Sequence, residues 1–371
     1  VTITPVNPVG LPRIVENKLP HAKQTHELVK QMASFQIANP NSTLHGLDLS
    51  TQYPGMVWLT LEGDNKLVLI DPGVASVTNT PKVIKEIDVP HPGKGPHYIG
   101  EYENDLWVSL KESYHVLRIN HRYPTYYSLF KGVIHPIFVA QHPINKMFYS
   151  SEDTSSKIMK INPATGKTIQ IDVAASAGTT PVGMISGPKG IWFTLLGSAT
   201  AGTGTFGFID QDDNIVYHKL KSPLGKDAAL LHLKFDVAYK TNYKLYLLSS
   251  SIINPNALDM VIKVTFDEQW TTIKDEEAIV IPTQRCQAHR LLPTEFNVFA
   301  TELTSSKILI LYNMYQIMMM PCSPGSKLCF YCPVKAFCDL RVAAKKDNRI
   351  NHGLTGVAFS NLRVCNEIGT K

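Results

Sequence analysis

The sequence predicts an all-β fold, a seven-bladed β-propeller of four-stranded blades, on three observations. A two-strand pattern recurs along the chain at spacings of about 40–60 residues. A short apolar run precedes each copy and an outer strand follows most of them. The last unit stops after two runs, 354–359 and 362–365, so its outer strands are expected from the N-terminus. Four-stranded sheets repeated about an axis are the blades of a propeller.

The repeats are expected to form a single domain spanning 1–371. Residues 1–40 hold the candidate closure strands, "PRIVENK" and "SFQIAN"; the overlapping "QTHELVKQMASF" also reads as a short helix, with Leu28 and Met32 one turn apart. Six hairpins follow: "GMVWLTLEGDNKLVLID", "DLWVSLKESYHVLRIN", "KMFYSSEDTSSKIMKIN", "GIWFTLLGSATAGTGTFGFID", "KLYLLSSSIINPNALDMVIKVTF" and "NVFATELTSSKILIL". Each has an aromatic residue near its start, a Thr or Ser soon after, a polar turn and a second apolar run, the pattern of two antiparallel strands. The runs before them are "LHGLDLS", "GPHYIGE", "IHPIFVA", "TPVGMIS", "LLHLKFDVA" and "QAHRLLP", and "NHGLTGVAFS" opens the seventh unit. Outer strands are read in "VIKEIDVP", "YYSLF", "TIQIDVA", "IVYHKL" and "AIVIP". Two intervals are read as insertions, 250–284 and the Cys-rich 313–351, although "YQIMMMP" in the latter has the character of an ordinary strand.

Composition limits the partners. Of 371 residues, 44% are apolar and 18% charged, enough for a large core. The net charge of +5 has no basic run behind it, Lys345 and Lys346 being the densest spot, so neither nucleic acid nor an anionic membrane is the expected partner. No apolar segment has the length of a membrane span. A monomer binding a small molecule is expected.

Four of six cysteines (Cys322, Cys329, Cys332 and Cys338) crowd into one Pro/Gly-rich stretch, while Cys286 and Cys365 stand apart. That usage reads as disulfides of an oxidising compartment. A zinc knuckle competes, with only Cys329 and Cys332 closely spaced. The sequon at Asn41 and the start at Val1, without Met, add the expectation of a processed, secreted, extracellular glycoprotein.

Stacking the first strands sets His45, His97, His135, Val182, His232, His289 and His352 at nearly one point. First strands line a propeller's channel, so these imidazoles are expected around an axial pocket, suited to proton transfer or metal binding. The competing account is that a repeated His merely ties one blade's loop to a carbonyl of the next. In 287–311 a hairpin carries His289 at its head and Glu302 near its end, although a hairpin needs neither. "GTGTFG" runs into a strand rather than a helix, so it is a turn and not a dinucleotide site. Trp58, Trp107 and Trp192 share a second-strand position and are read as inter-blade core; Trp270 is free of that constraint and is either a ligand contact or a loop anchor.

Repeats of the form "GPH", strand, "LWVS", turn, "LRIN", seen best over 95–120 and again over 181–210, resemble those of the virginiamycin B (streptogramin B) lyase family. The resemblance implies a seven-bladed propeller that opens a cyclic depsipeptide by metal-assisted elimination. It implies catalytic roles for His232, His289 and Glu302, and a Mg²⁺ site drawn from Glu302, His232 and position 287. Here the family's Glu two before the second histidine is Gln287, which offers an oxygen but no charge. The family's acidic residue three after the aromatic is found at Glu302, the equivalent places being read as Leu61, Leu110, Ser151, Leu195 and Ser249. His45, His97, His135 and His352 would line the substrate pocket. Three functions follow: a secreted lyase acting on a cyclic ester or lactone, a lactone hydrolase, or a propeller that binds a ligand or carbohydrate without turnover. Gln287 would also suit a scaffold that has lost activity.

Overall fold

The computed structural model describes residues 4–5, 35–36, 43–73, 81–132, 134–295, 297–305, 307–312 and 316–321. β1 (Thr4–Pro5) pairs antiparallel with β2 (Phe35–Gln36). Six four-stranded sheets follow, each antiparallel and in chain order. Blade one is β3 (Leu44–Leu49), β4 (Val57–Leu61), β5 (Lys66–Asp71) and β6 (Lys82–Asp88). Blade two is β7 (Pro96–Tyr102), β8 (Asp105–Leu110), β9 (His115–Asn120) and β10 (Tyr127–Lys131). Blade three is β11 (Pro136–Gln141), β12 (Phe148–Glu152), β13 (Lys157–Ile161) and β14 (Thr168–Asp172). Blade four is β15 (Pro181–Gly187), β16 (Gly190–Leu195), β17 (Thr205–Ile209) and β18 (Ile215–Lys219). Blade five is β19 (Leu230–Phe235), β20 (Lys244–Ser249), β21 (Met260–Phe266) and β22 (Ile273–Val280), with one helical turn, α1 (Tyr239–Asn242), between its first two strands. Blade six is β23 (Ala288–Pro293), β24 (Asn297–Glu302), β25 (Lys307–Tyr312) and β26 (Gln316–Pro321).

The propeller of four-stranded blades is therefore seen, with six blades among the described residues and not seven. The seventh unit, its closure by N-terminal strands, and Cys322, Cys329, Cys332, Cys338 and Cys365 lie outside the described residues. Cys286 is a free, buried thiol. The interval 250–284 contains β21 and β22, so the extra length of blade five is confined to its loops. "QIMMMP" is the outer strand of blade six, which moves the start of the Cys-rich segment beyond Pro321.

Each first strand touches the first strand of the next blade, from β3 to β23, so these six form the inner wall. Second and third strands bury both faces between neighbouring blades, as the apolar runs in β4, β8 and β16 require. The three repeat tryptophans fill that space: Trp58, Trp107 and Trp192 are 0%, 2% and 1% exposed. Trp107 stacks on Phe148 of the next blade at 3.6 Å and on Phe130 at 5.6 Å. Trp270 sits 5.9 Å from Trp192 and is 8% exposed, so it anchors a loop in the core between blades four and five.

In blades one to four a hydroxyl two residues after the aromatic joins the blade to the next. In blade one, Thr60 Oγ1 accepts from Gly46 N–H (2.6 Å) and donates to the His97 carbonyl (3.5 Å). Ser109 accepts from Tyr98 N–H (2.9 Å) and donates to the Ile137 carbonyl (2.8 Å). Ser151 accepts from Phe138 N–H (3.3 Å) and donates to the Val182 carbonyl (2.5 Å). Thr194 accepts from Gly183 N–H (3.0 Å) and donates to the Leu231 carbonyl (3.2 Å). The hydroxyl takes the N–H that a bulge in the inner strand releases from the ladder. Gly183 marks how close the blades come, since a Cβ there would lie 2.6 Å from the Leu231 carbonyl oxygen.

Two outcomes test this packing. Thr194→Val keeps the shape and removes the tie, leaving a buried N–H and a buried carbonyl without partners; urea unfolding should show a loss of about 1–3 kcal/mol. Trp107→Ala should cost about 3–5 kcal/mol in the same measurement, with an unchanged m value.

Candidate functional site

The ladder fixes which inner-strand residues are equivalent. Leu44, Pro96, Pro136, Pro181, Leu230 and Ala288 each pair with the last residue of their blade's second strand. The next residues in the chain are His45, His97, Ile137, Val182, Leu231 and His289. Three histidines, not six, share the position. His135 stands one residue before its strand, at φ +25°, against the Tyr114 ring. His232 stands one residue after the shared position. His352 lies outside the described residues.

The three equivalent imidazoles meet. The His45 and His97 rings are 3.5 Å apart, and His45 of blade one meets His289 of blade six edge-on at 5.4 Å. His45 Nδ1 lies 3.0 Å from the His97 carbonyl, and His97 Nδ1 lies 3.4 Å from the Ile137 carbonyl. A tie from imidazole to the next blade's carbonyl thus exists at these two positions, as the structural account of the repeat expected.

Beyond the bulge the wall becomes polar. Arg290 and Tyr98 are half-buried, and so, nearer the far end, are Asp48 and Lys234. The Arg290 guanidinium lies over the Phe138 ring at 4.9 Å, and Nη1 donates to the His289 carbonyl at 3.2 Å. Phe138 also meets Tyr98 at 5.1 Å and His232 at 5.6 Å. His232 Nδ1 accepts from Leu291 N–H (3.2 Å), which puts its proton on Nε2.

This junction departs from the others. Where blades one to four carry the tying hydroxyl, blade five has Leu248, the partner of His232 in the ladder. Ser249 falls one place later, and its hydroxyl has no partner among the described residues. With no hydroxyl available to the His289 carbonyl, Arg290 takes it, and the His232 ring takes the Leu291 N–H.

Burial is the main cause keeping the imidazoles neutral. It lowers His45 to about 3, helped by Arg290 and Lys111 and opposed by the bond to His97. It also holds His97, His232 and His289 well below the ordinary value of 6.5, with the positive charge of Arg290 adding to it in each case. Burial raises Asp48 to about 7 against the pull of Lys234, and pushes Lys234 down. Arg290 falls to about 10 through burial, with Tyr98 acting in the opposite sense.

Glu302 belongs to another grouping. It is fully buried, pairs with Ala288 in the ladder and accepts from the Ser305 hydroxyl. Beside it is Cys286, whose thiol is pushed up by burial first and then by Asp259 and Glu302. Asp259 is a structural clamp, accepting from Ser251 N–H and Oγ, Cys286 N–H and Ala288 N–H at 2.7–3.0 Å. Gln287 lies at this bend, at φ +52°, and its N–H donates to Ser251 Oγ. In the register the counterpart of Glu302 in blade three is Glu152, also fully buried, rather than Ser151.

The set Glu302, Gln287 and His232 does not fit the expected Mg²⁺. Among the described residues no three His, Cys, Asp or Glu side chains form a metal-binding group. His232 has one ring nitrogen engaged by backbone, and Gln287 brings no charge.

Arg290, Asp48, Lys234 and Tyr98 are not among the candidates that sequence reasoning named. For two of them the signal was present as a charged residue inside an otherwise apolar inner strand, Lys234 in "HLKF" and Arg290 in "AHRLLP".

No family model matches the chain, and no curated protein matches it in sequence. Solved structures do resemble it. A catalytically inactive variant of virginiamycin B lyase from Staphylococcus aureus with quinupristin is 17% identical, covering 78% of this chain and 88% of that one at a TM-score of 0.61. A streptogramin B lyase structure is 16% identical over 78% and 86% of the two chains, with a TM-score of 0.61. A putative 6-phosphogluconolactonase from Bacteroides fragilis is 14% identical over 78% and 85%, with a TM-score of 0.55. The expected likeness to the streptogramin B lyases is present in the fold, and at these identities it is the fold that is shared.

The titrations have opposite signs. Imidazoles neutral in the fold but protonated in the unfolded chain remove stability as pH falls below 6.5. Asp48, protonated longer in the fold, adds stability as pH falls from about 7. Urea midpoints taken from pH 7 down to about pH 5 should therefore fall less steeply in His97→Asn than in the parent, and more steeply in Asp48→Asn.

Proposed function

We propose that the mouth of the inner wall opens a small cyclic ester by acid–base chemistry, in the manner of a lyase or, with water as nucleophile, a lactonase. The observation that carries this reading is the meeting of His45, His97 and His289, three imidazoles kept neutral beside a guanidinium. A neutral imidazole accepts a proton, and one whose cationic form is disfavoured returns it readily.

In elimination, His289 takes the proton from the carbon beside the carbonyl. The C–H electrons form the new C=C bond, the C–O bond breaks, and the leaving oxygen departs as a carboxylate. The proton on His289 passes to that oxygen or to solvent, and atoms balance without a co-reactant. In the lactonase version the same nitrogen takes a proton from water, whose oxygen adds to the carbonyl. His45, edge-on to His289, orients the ring. The two kinds of named neighbour, a lyase and a putative lactonase, are compatible with either course. The same reading keeps a seventh blade built from 352–365 with the N-terminal strands, on the strength of the repeat, and an extracellular setting, on the strength of the cysteine run and Asn41.

Mass analysis of a panel of cyclic depsipeptides and lactones incubated with the protein separates the outcomes. Elimination opens the ring without change of mass, while hydrolysis adds one water. His289→Ala should lower kcat by about 10²–10⁴-fold in either case. Saturable binding with no product from any member of the panel would replace the enzyme by a ligand-binding propeller.

A further inference from the structure

Among the described residues of the inner wall one cation has no acid. Lys111 lies 3.7 Å from Asp153, and Lys234 faces Asp48. Among the described residues no carboxylate comes within 4 Å of the Arg290 guanidinium, whose hydrogen bond goes to the His289 carbonyl. A guanidinium has five N–H donors in one plane, so four remain. One face of that plane is covered by Phe138, which leaves the donor edge as the direction in which a partner can approach. The surroundings contain neutral imidazoles, Tyr98 and Phe138, none of which neutralises the charge.

We propose that Arg290 is a seat for a planar carboxylate, so that the channel's ligand is a small carboxylate or an ester that becomes one. The donor fork matches two carboxylate oxygens side by side, and a flat ring packed behind it fixes the fork's plane. Holding a charged guanidinium in a buried wall is costly unless something anionic meets it, which gives the unliganded site its affinity. His289 is adjacent in the chain, so the seat and the base lie on one strand. This assignment rests on the acid–base reading of the mouth and names the charge of what that site takes. Elimination and hydrolysis both leave a carboxylate, so the seat would hold product and make the enzyme sensitive to it.

The test uses the full chain and two probes of one shape, benzoate and its neutral amide, benzamide, at constant ionic strength. Ligand-observed NMR titration should show benzoate binding saturably and benzamide at least tenfold more weakly, the difference that charge-assisted bonds supply by about this order. Arg290→Met should abolish the preference. Arg290→Lys, which keeps the charge and loses the fork, should retain a weakened one, and it decides the matter should the Met variant fail to fold. Equal binding of the two probes, or undiminished benzoate preference in a folded Arg290→Met protein, overturns the proposal. Either result leaves the His289 chemistry to be judged separately, on neutral cyclic esters.

Discussion

Much of the molecule depends on one side-chain hydroxyl repeated from blade to blade. An inner strand that bulges releases a backbone N–H from its ladder, and a buried N–H without a partner costs about 1–3 kcal/mol. Thr60, Ser109, Ser151 and Thr194 each accept that N–H, and each passes its own proton to a carbonyl on the next inner strand. One oxygen therefore settles the bulge, the spacing between blades and the register of the inner wall. The tryptophans and phenylalanines between the sheets contribute the larger share of the stability, but they do not specify a rotation. Apolar surfaces slide, whereas a hydroxyl between two backbone groups has one place to be.

Blade five interrupts that device; in blade six Thr301 again accepts the inner-strand N–H, that of Arg290. Leu248 can neither accept the N–H that its own inner strand releases nor donate to the His289 carbonyl, and Arg290 reaches that carbonyl instead. His232 takes the Leu291 N–H and Arg290 takes the carbonyl. Both reach their positions through backbone, which leaves His232 Nε2 and most of the Arg290 fork directed elsewhere. A joint that is merely structural in four blades thus presents a cation and an imidazole on the wall. The adjacent His289 and His45 rings bring the base to the same end of the strands.

Electrostatics at the two groupings of buried acids and bases runs in opposite senses. Glu101 and Asp259 are satisfied by several donors: Glu101 accepts from Ser50, Thr51, Gln52 and the Trp58 indole, and Asp259 from four donors. Such carboxylates hold loops to strands. The imidazoles of the wall are instead neutral because burial and nearby cations both oppose protonation. A neutral base beside a cation can take up a proton when negative charge forms next to it, which is the situation of a ring-opening ester.

The repeat of aromatic residue, hydroxyl and turn made the fold legible, because antiparallel strands bury alternate residues and a duplicated blade keeps its ties. Trp58, Trp107 and Trp192 could be assigned to the core from spacing alone. Their position is closed to solvent in blades one, two and four, where the structure places them. The meeting of His45, His97 and His289 was partly legible, since residues at equal places in a repeat converge on an axis. Three things were not. Spacing along the chain does not give the ladder register, so His135 and His232 looked equivalent to the others, and the adjacent Phe148 and Tyr149 let Ser151 stand where Glu152 belongs. Leu248 looked ordinary, because its meaning lies in the hydroxyl its neighbours have. Arg290 looked like any strand cation, because the lack of an acid beside it among the described residues is a property of six strands together. Sequence determines what each strand can pair with; only the closing of the strands around an axis decides which charges are left unpaired, because that is set by distances between residues far apart in the chain.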